Sequence, residues 1–122
     1  MALKEIAVDG MTLQDTLGGS PNITINSSPS SKVKSGGSGI YSGGISITIA
    51  SGSTSSTGCA LTNPASGTIS STASKTKENG QTVNRKDDEV AISGAGTMGG
   101  SGCTASFNIK ITDAGQTKVK AE

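Results

Sequence analysis

The sequence predicts an all-β protein of short strands joined by Gly/Ser-rich connections. Isoleucine alternates with polar residues in several short runs, turn-forming residues separate those runs, and no window sustains the 3.6-residue period of an amphipathic helix. Composition narrows the choice. Hydrophobic residues make up 31% of the 122-residue chain, against roughly 45–50% in ordinary globular domains. There is one Phe, one Tyr and no Trp, and Gly supplies 18 residues. Each large buried side chain stabilises by roughly 1.5–3 kcal/mol, so few such side chains imply a thin core of Ile and Val held within dense backbone hydrogen bonding. A net charge of +1 and the regular alternation argue against a disordered chain.

Along the chain, KEIAVDG reads as a short strand, and MTLQDTLGG is the one stretch compatible with a short helix, stopped by Gly18. Residues 1–17 are therefore an N-terminal segment and residues 18–122 a single β domain. ITIN (Ile23 to Asn26) alternates, NSSPSS follows as a turn, and SKVKS is a further short strand. ISITIA (Ile45 to Ala50) puts Ile45, Ile47 and Ile49 on one face. TIS and TVNR are short strand candidates, and ENGQ (Glu78 to Gln81) carries Asn-Gly, a strong hairpin signal. EVAIS (Glu89 to Ser93) groups Val90 with Ile92, and FNIKIT (Phe107 to Thr112) groups Phe107, Ile109 and Ile111. The expected core is Ile23, Ile25, Ile45, Ile47, Ile49, Ile109 and Ile111. SGGSGIYSGG (Ser35 to Gly44) and SGAGTMGGSG (Ser93 to Gly102) read as Gly-rich turns whose small residues let chains approach closely in a tapering β structure.

Two stretches echo each other. NITINSSPSSKVK (Asn22 to Lys34) and NIKITDAGQTKVK (Asn108 to Lys120) share Asn, two Ile and a closing Lys-Val-Lys in one register. Each reads as a strand, a tight turn and a second strand. A weaker third copy lies between them, with a strand at Thr68 to Ser70, a turn, and Lys-Thr-Lys at Lys75 to Lys77. Three related β units give an internal pseudo-threefold character.

Catalytic chemistry finds little support. With no His, a Ser-His-Asp or Cys-His pair is excluded, and the expectation is a protein that is not an enzyme. The Gly-rich stretches lack the Lys-Ser/Thr and the helix of a phosphate-cradling loop. Near-neutral charge and scarce aromatics argue against nucleic acid as a partner. Asp87, Asp88 and Glu89 form the one carboxylate cluster. Hard cations favour oxygen ligands, but adjacent strand residues point to opposite faces, so the expectation is a solvated turn that keeps a sheet edge soluble. Cys59 and Cys103 leave three readings open: a disulfide closing a long loop, two thiolates to a shared metal ion, or two buried small residues.

The strand followed by SPSSKV, the central VNRKDDEV and the closing IKITDAGQTKVKAE together resemble the PAAR and PAAR-like spike-tip proteins of contractile injection systems. VNRKDD is similar to the family's Val-x-Arg-x-Gly-Asp element, with Lys86 followed by Asp87 where the element has Gly-Asp. SSPSSKV resembles the Pro-Ala-Ala-Arg element, with Pro29 matching its Pro and Lys32 standing for its Arg. The resemblance spans about Gly18 to Glu122. It implies a compact cone whose wide base carries three β segments in pseudo-threefold arrangement and sits on a trimeric spike, VgrG-like or a tail-spike hub, as one monomer per trimer. The implied role is structural: to sharpen the spike for piercing a target envelope, with the membrane contacted mechanically. Many members hold a single metal ion near the tip through His and Cys. Here only Cys59 and Cys103 are available to such a site, and a disulfide would stiffen the apex instead. The early acidic residues exclude a signal peptide of ordinary pattern. The expected route is therefore cytoplasmic synthesis, then assembly into the tip of a virion tail or injection particle delivered outside the cell. The alternative is a trimeric fibre or adhesin module of a phage or surface appendage.

Overall fold

The structure is a computed structural model that describes residues 3–54, 58–78 and 80–121. The described residues contain strands β1 (Lys4–Glu5), β2 (Thr12–Asp15), β3 (Asn22–Ile25), β4 (Lys34–Ser35), β5 (Ser38–Gly39), β6 (Ile45–Ser51), β7 (Ala60–Leu61), β8 (Ala65–Ile69), β9 (Lys77–Glu78), β10 (Gln81–Thr82), β11 (Glu89–Met98), β12 (Ser101–Asp113) and β13 (Lys120–Ala121). Two sheets carry the body of the domain. One has the order β2-β12-β11-β7 and the other β3-β6-β8, all antiparallel. Three two-stranded hairpins or pairs, β1-β13, β4-β5 and β9-β10, complete the compact all-β domain.

Each large sheet is organised by its central strand. Alternation in β6 sends Ile45, Ile47 and Ile49 into the interior, each fully buried. Alternation in β12 does the same for Ala105, Phe107, Ile109 and Ile111. These two rows meet in one apolar cluster with Ile69, Ile92, Tyr41 and Cys59. The predicted core holds for five of its seven isoleucines. Ile23 is only partly buried, and Ile25 is 37% exposed. The reason is position: β3 is an edge strand, paired to β6 on one side only, and its open flank faces a groove shared with Met11, Thr12 and Leu13.

The stretch compatible with a helix is instead β2 and a turn. Leu13, Gln14 and Asp15 pair with Ile111, Lys110 and Ile109, because β12 offers a long edge whose backbone groups need partners. The Asp15 carboxylate then closes the turn, accepting from the amides of Leu17 at 3.1 Å, Gly19 at 2.8 Å and Asn108 at 2.8 Å. Strands β1 and β2 thus tie residues 4–15 to β13 and β12.

The Gly-rich stretch from Ser93 to Gly102 is also mostly strand. β11 and β12 stay in register to Met98 opposite Ser101, and the turn is only Gly99 and Gly100, both at positive φ. The glycines before it serve packing. A Cβ on Gly96 would stand 2.7 Å from the Cys59 Sγ, so only glycine lets that segment cross β11. A Cβ on Gly67 would stand 2.8 Å from Ile92 Cγ1, which lets β8 lie close against β11. The Asn-Gly hairpin forms where predicted, with Glu78 opposite Gln81; Asn79 itself lies outside the described residues.

Cys59 and Cys103 are joined by a disulfide with a Cα–Cα separation of 6.2 Å. The bond ties the segment before β7 to the upper part of β12, beside Gly96. Its partners are 44 residues apart in sequence, and closing a loop of that size removes unfolded-state freedom worth about 3–4 kcal/mol. The double variant Cys59→Ala/Cys103→Ala is expected to lose about that much stability in urea unfolding while keeping its β-type circular dichroism, because the two sheets do not depend on the bridge.

Candidate functional site

Three five-residue segments, Glu5 to Asp9, Gly39 to Gly43 and Thr82 to Lys86, meet in a closed ring. Their middle residues are bonded head to tail. The Ala7 amide donates to the Asn84 carbonyl at 2.9 Å, the Asn84 amide to Tyr41 at 2.9 Å, and the Tyr41 amide to Ala7 at 3.0 Å. The ends of the segments repeat the cycle: Asp9 donates to Gly39 at 2.9 Å, Gly43 to Thr82 at 2.9 Å and Lys86 to Glu5 at 2.8 Å. Bridges Val8–Ile40, Ser42–Val83 and Ile6–Arg85 link the same pairs.

Each segment is held by its own arm. Ile6, Ile40 and Val83 donate their amides to the carbonyls of Val119, Val33 and Thr76 at 3.0, 3.1 and 3.1 Å. Those carbonyls lead into β13, β4 and β9, which pair back onto β1, β5 and β10. Each segment then turns at a residue with positive φ: Gly10 at 102°, Gly44 at 96° and Asp87 at 76°. From those turns β2, β6 and β11 run into the body of the domain. Ile6, Val8, Ile40 and Val83, with Ala73 and Ala121, make a second apolar cluster beneath the ring. Tyr41 is 4% exposed; burial first, and then the charge of Asp9, raise its phenol above the ordinary value of 10.0, so it sits in the ring as a neutral group.

The two stretches that echo each other at the ends of the sequence both lead to the ring. The two copies do not form hairpins of their own: β3 pairs with β6, while residues 108–111 pair with β11 and β2. What they share is a place in the ring scheme. Ile111 stands opposite Leu13 as Ile25 stands opposite Ile47. Ser30 Oγ accepts from the amides of Lys32 and Val33 at 3.2 and 3.0 Å; Gln116 Oε1 accepts from Lys118 and Val119 at 2.8 Å each. The C-terminal copy is completed by the first residues of the chain, through β13 and β1.

The carboxylate cluster is not a solvated turn throughout. Asp88 is fully buried. It accepts from the Arg85 amide at 2.9 Å, from the Thr72 hydroxyl, and from Asn84 Nδ2 at 3.5 Å. Arg85, 9% exposed, donates to the carbonyls of Ala121 at 3.1 Å and Thr72 at 3.0 Å, and to the Thr72 hydroxyl at 2.8 Å. The Thr72 hydroxyl therefore stands between the two opposite charges, accepting from one and donating to the other. Asp87 is half exposed and pairs with Lys4 and Lys110, each at 3.5 Å. The sequence signal was present in Val-x-Arg with an Asp three residues beyond the Arg, but alternation alone could not say which acid turned inward.

The proposed metal ligands lie elsewhere. Cys103 faces Gly96 in the β11–β12 ladder. At about 3.3 Å per strand residue, that is roughly 25 Å along β11 from Asp88 and the ring. Both sulfurs are in the disulfide, the first of the three readings left open, and a bonded sulfur is not the thiolate that a metal needs. Among the described residues no group of three or more His, Cys, Asp or Glu is placed to hold a metal ion. No family model, curated protein or solved structure matched the chain.

Removing one charge from a buried network that joins two opposite charges through a hydroxyl leaves the other uncompensated and costs about 3–5 kcal/mol. Asp88→Ala is expected to lower stability by about that amount in urea unfolding, whereas Asp87→Asn, which loses two surface ion pairs, is expected to change it by less than about 1 kcal/mol.

Proposed function

We propose that the chain is a spike-tip protein that sits as a single copy on the end of a trimeric β-helical spike and sharpens it for driving through a target envelope. The closed ring carries this reading. A monomer can seat on a threefold object only if it offers three similar surfaces, and the head-to-tail bonds among Ala7, Tyr41 and Asn84, repeated in the arms and in the turns, supply three related segments from one chain. In this reading the ring is the wide, pseudo-threefold base, and the β11–β12 hairpin with its disulfide leads to the narrow end of a cone. Strand edges at the base extend the edges of the spike, since open edges are templates for pairing. The work is mechanical and needs no turnover: force applied along the spike is borne by ladders in which each hydrogen bond is worth about 0.5–1.5 kcal/mol net.

A trimeric fibre module is the competing reading, and the ring speaks against it because one chain closes the cycle without a second copy. Native mass spectrometry separates the two. The expected result is a monomer alone, and one copy of the chain bound to three spike chains after mixing with a trimeric β-helical spike domain. A stable homotrimer would overturn the capping role.

A further inference from the structure

Each ring arm carries lysine on both sides of the residue whose carbonyl holds the ring. Lys32 and Lys34 flank Val33, Lys75 and Lys77 flank Thr76, and Lys118 and Lys120 flank Val119. Six of the ten basic residues are therefore gathered on three equivalent arms. The others are Lys4 and Lys110, both paired to Asp87, with the buried Arg85 and with Lys86 in the ring itself. Among the described residues Lys32, Lys34, Lys77, Lys118 and Lys120 have no ion-pair partner. Among the described residues two carboxylates share the arms. Glu78 accepts from the Ser42 hydroxyl at 3.0 Å and Glu5 lies on β1, so the arms stay basic in balance although the whole chain is nearly neutral. Val33 and Val119 are also 44% and 43% exposed, unusual for β-branched residues in a chain with so few large apolar groups.

From this we infer that the arms form a threefold basic crown whose occupant is an acidic protein surface: the blunt end of a trimeric spike presenting carboxylates once per subunit, with an apolar spot for Val33 and Val119. This rests on the capping role proposed above and adds the chemistry of the partner. A ring of like charges repeated three times selects a partner with the opposite charge in the same symmetry, steers its approach, and penalises a neutral or basic end. Positive charge alone would also attract anionic lipid. A lipid surface does not explain charge divided evenly among three arms of one ring, so the spike end is the favoured occupant.

The probe is a trimeric β-helical spike domain engineered with one aspartate per subunit at its blunt end, beside the same domain with asparagine there. Affinities are measured at low and moderate salt for the full chain and for Lys32→Gln/Lys34→Gln, Lys75→Gln/Lys77→Gln and Lys118→Gln/Lys120→Gln, whose melting curves check the fold. Exposed pairs are individually weak, so each double variant is expected to bind the acidic spike about fivefold more weakly, all three arms combined about 100-fold, with the effect shrinking as salt rises. Equal affinity for the acidic and neutral spikes, or no loss in the variants, would overturn the acidic partner while leaving capping intact. Failure to bind either spike would overturn capping and this inference together. Lysine-dependent binding to phosphatidylserine vesicles in place of the spike would overturn the occupant.

Discussion

Three backbone hydrogen bonds, from Ala7 to Asn84, Asn84 to Tyr41 and Tyr41 to Ala7, are the constraint on which the rest of the molecule depends. Because the cycle is closed, no segment can leave without breaking bonds to both neighbours. All three residues are buried, so the freed amides and carbonyls would find no water nearby and would carry the full cost of an unmade bond. The ring also dictates what flanks it. Each segment needs an arm to satisfy its outer edge and a sharp turn to send the chain into the sheets. That is why a left-handed conformation recurs at Gly10, Gly44 and Asp87. Glycine enters it freely, and Asp is among the few side chains that tolerate it.

The body above the ring solves a different problem, how to be rigid with few large side chains. Two isoleucine-rich strands meet at the centre, and glycine at positions 67 and 96 lets neighbouring strands approach closely. The disulfide then locks the approach at Gly96, far from the ring. Charge is handled separately: Arg85 and Asp88 are buried and linked through one threonine hydroxyl, and in the same network Arg85 fastens Ala121 to the loop at Thr72. The buried pair is thus placed where the first and last strands meet, the part of the ring with no continuous chain to hold it.

Much of the sheet architecture was legible because alternation is local. Ile45, Ile47 and Ile49, and Phe107, Ile109 and Ile111, announce their strands and their inward faces without reference to anything distant. The repeated Lys-Val-Lys signal was legible too, but its meaning was not: the copies looked like hairpins, whereas each strand found a partner elsewhere in the chain. The ring was hidden for the same reason. Its bonds join residues near 7, 41 and 84, and nothing in Ile-Ala-Val, Ile-Tyr-Ser or Val-Asn-Arg marks the three as bonded to one another. The N-terminal strand β2 was masked by residues that suit a helix, and was decided by the unpaired edge of β12. Asp88 was misjudged because its partner Arg85 lies within the same short run, where charge density suggests solvent. The third arm was faint because Thr76 replaces the valine of the other two.

The most direct test of the ring is native-state hydrogen exchange at the amides of Ala7, Tyr41 and Asn84. A closed cycle predicts that the three exchange together, only through global unfolding, and that Asp88→Ala accelerates all three by the same factor. If one of them exchanged orders of magnitude faster than the other two under native conditions, the cycle would be open, and the account of the base built on it would be contradicted.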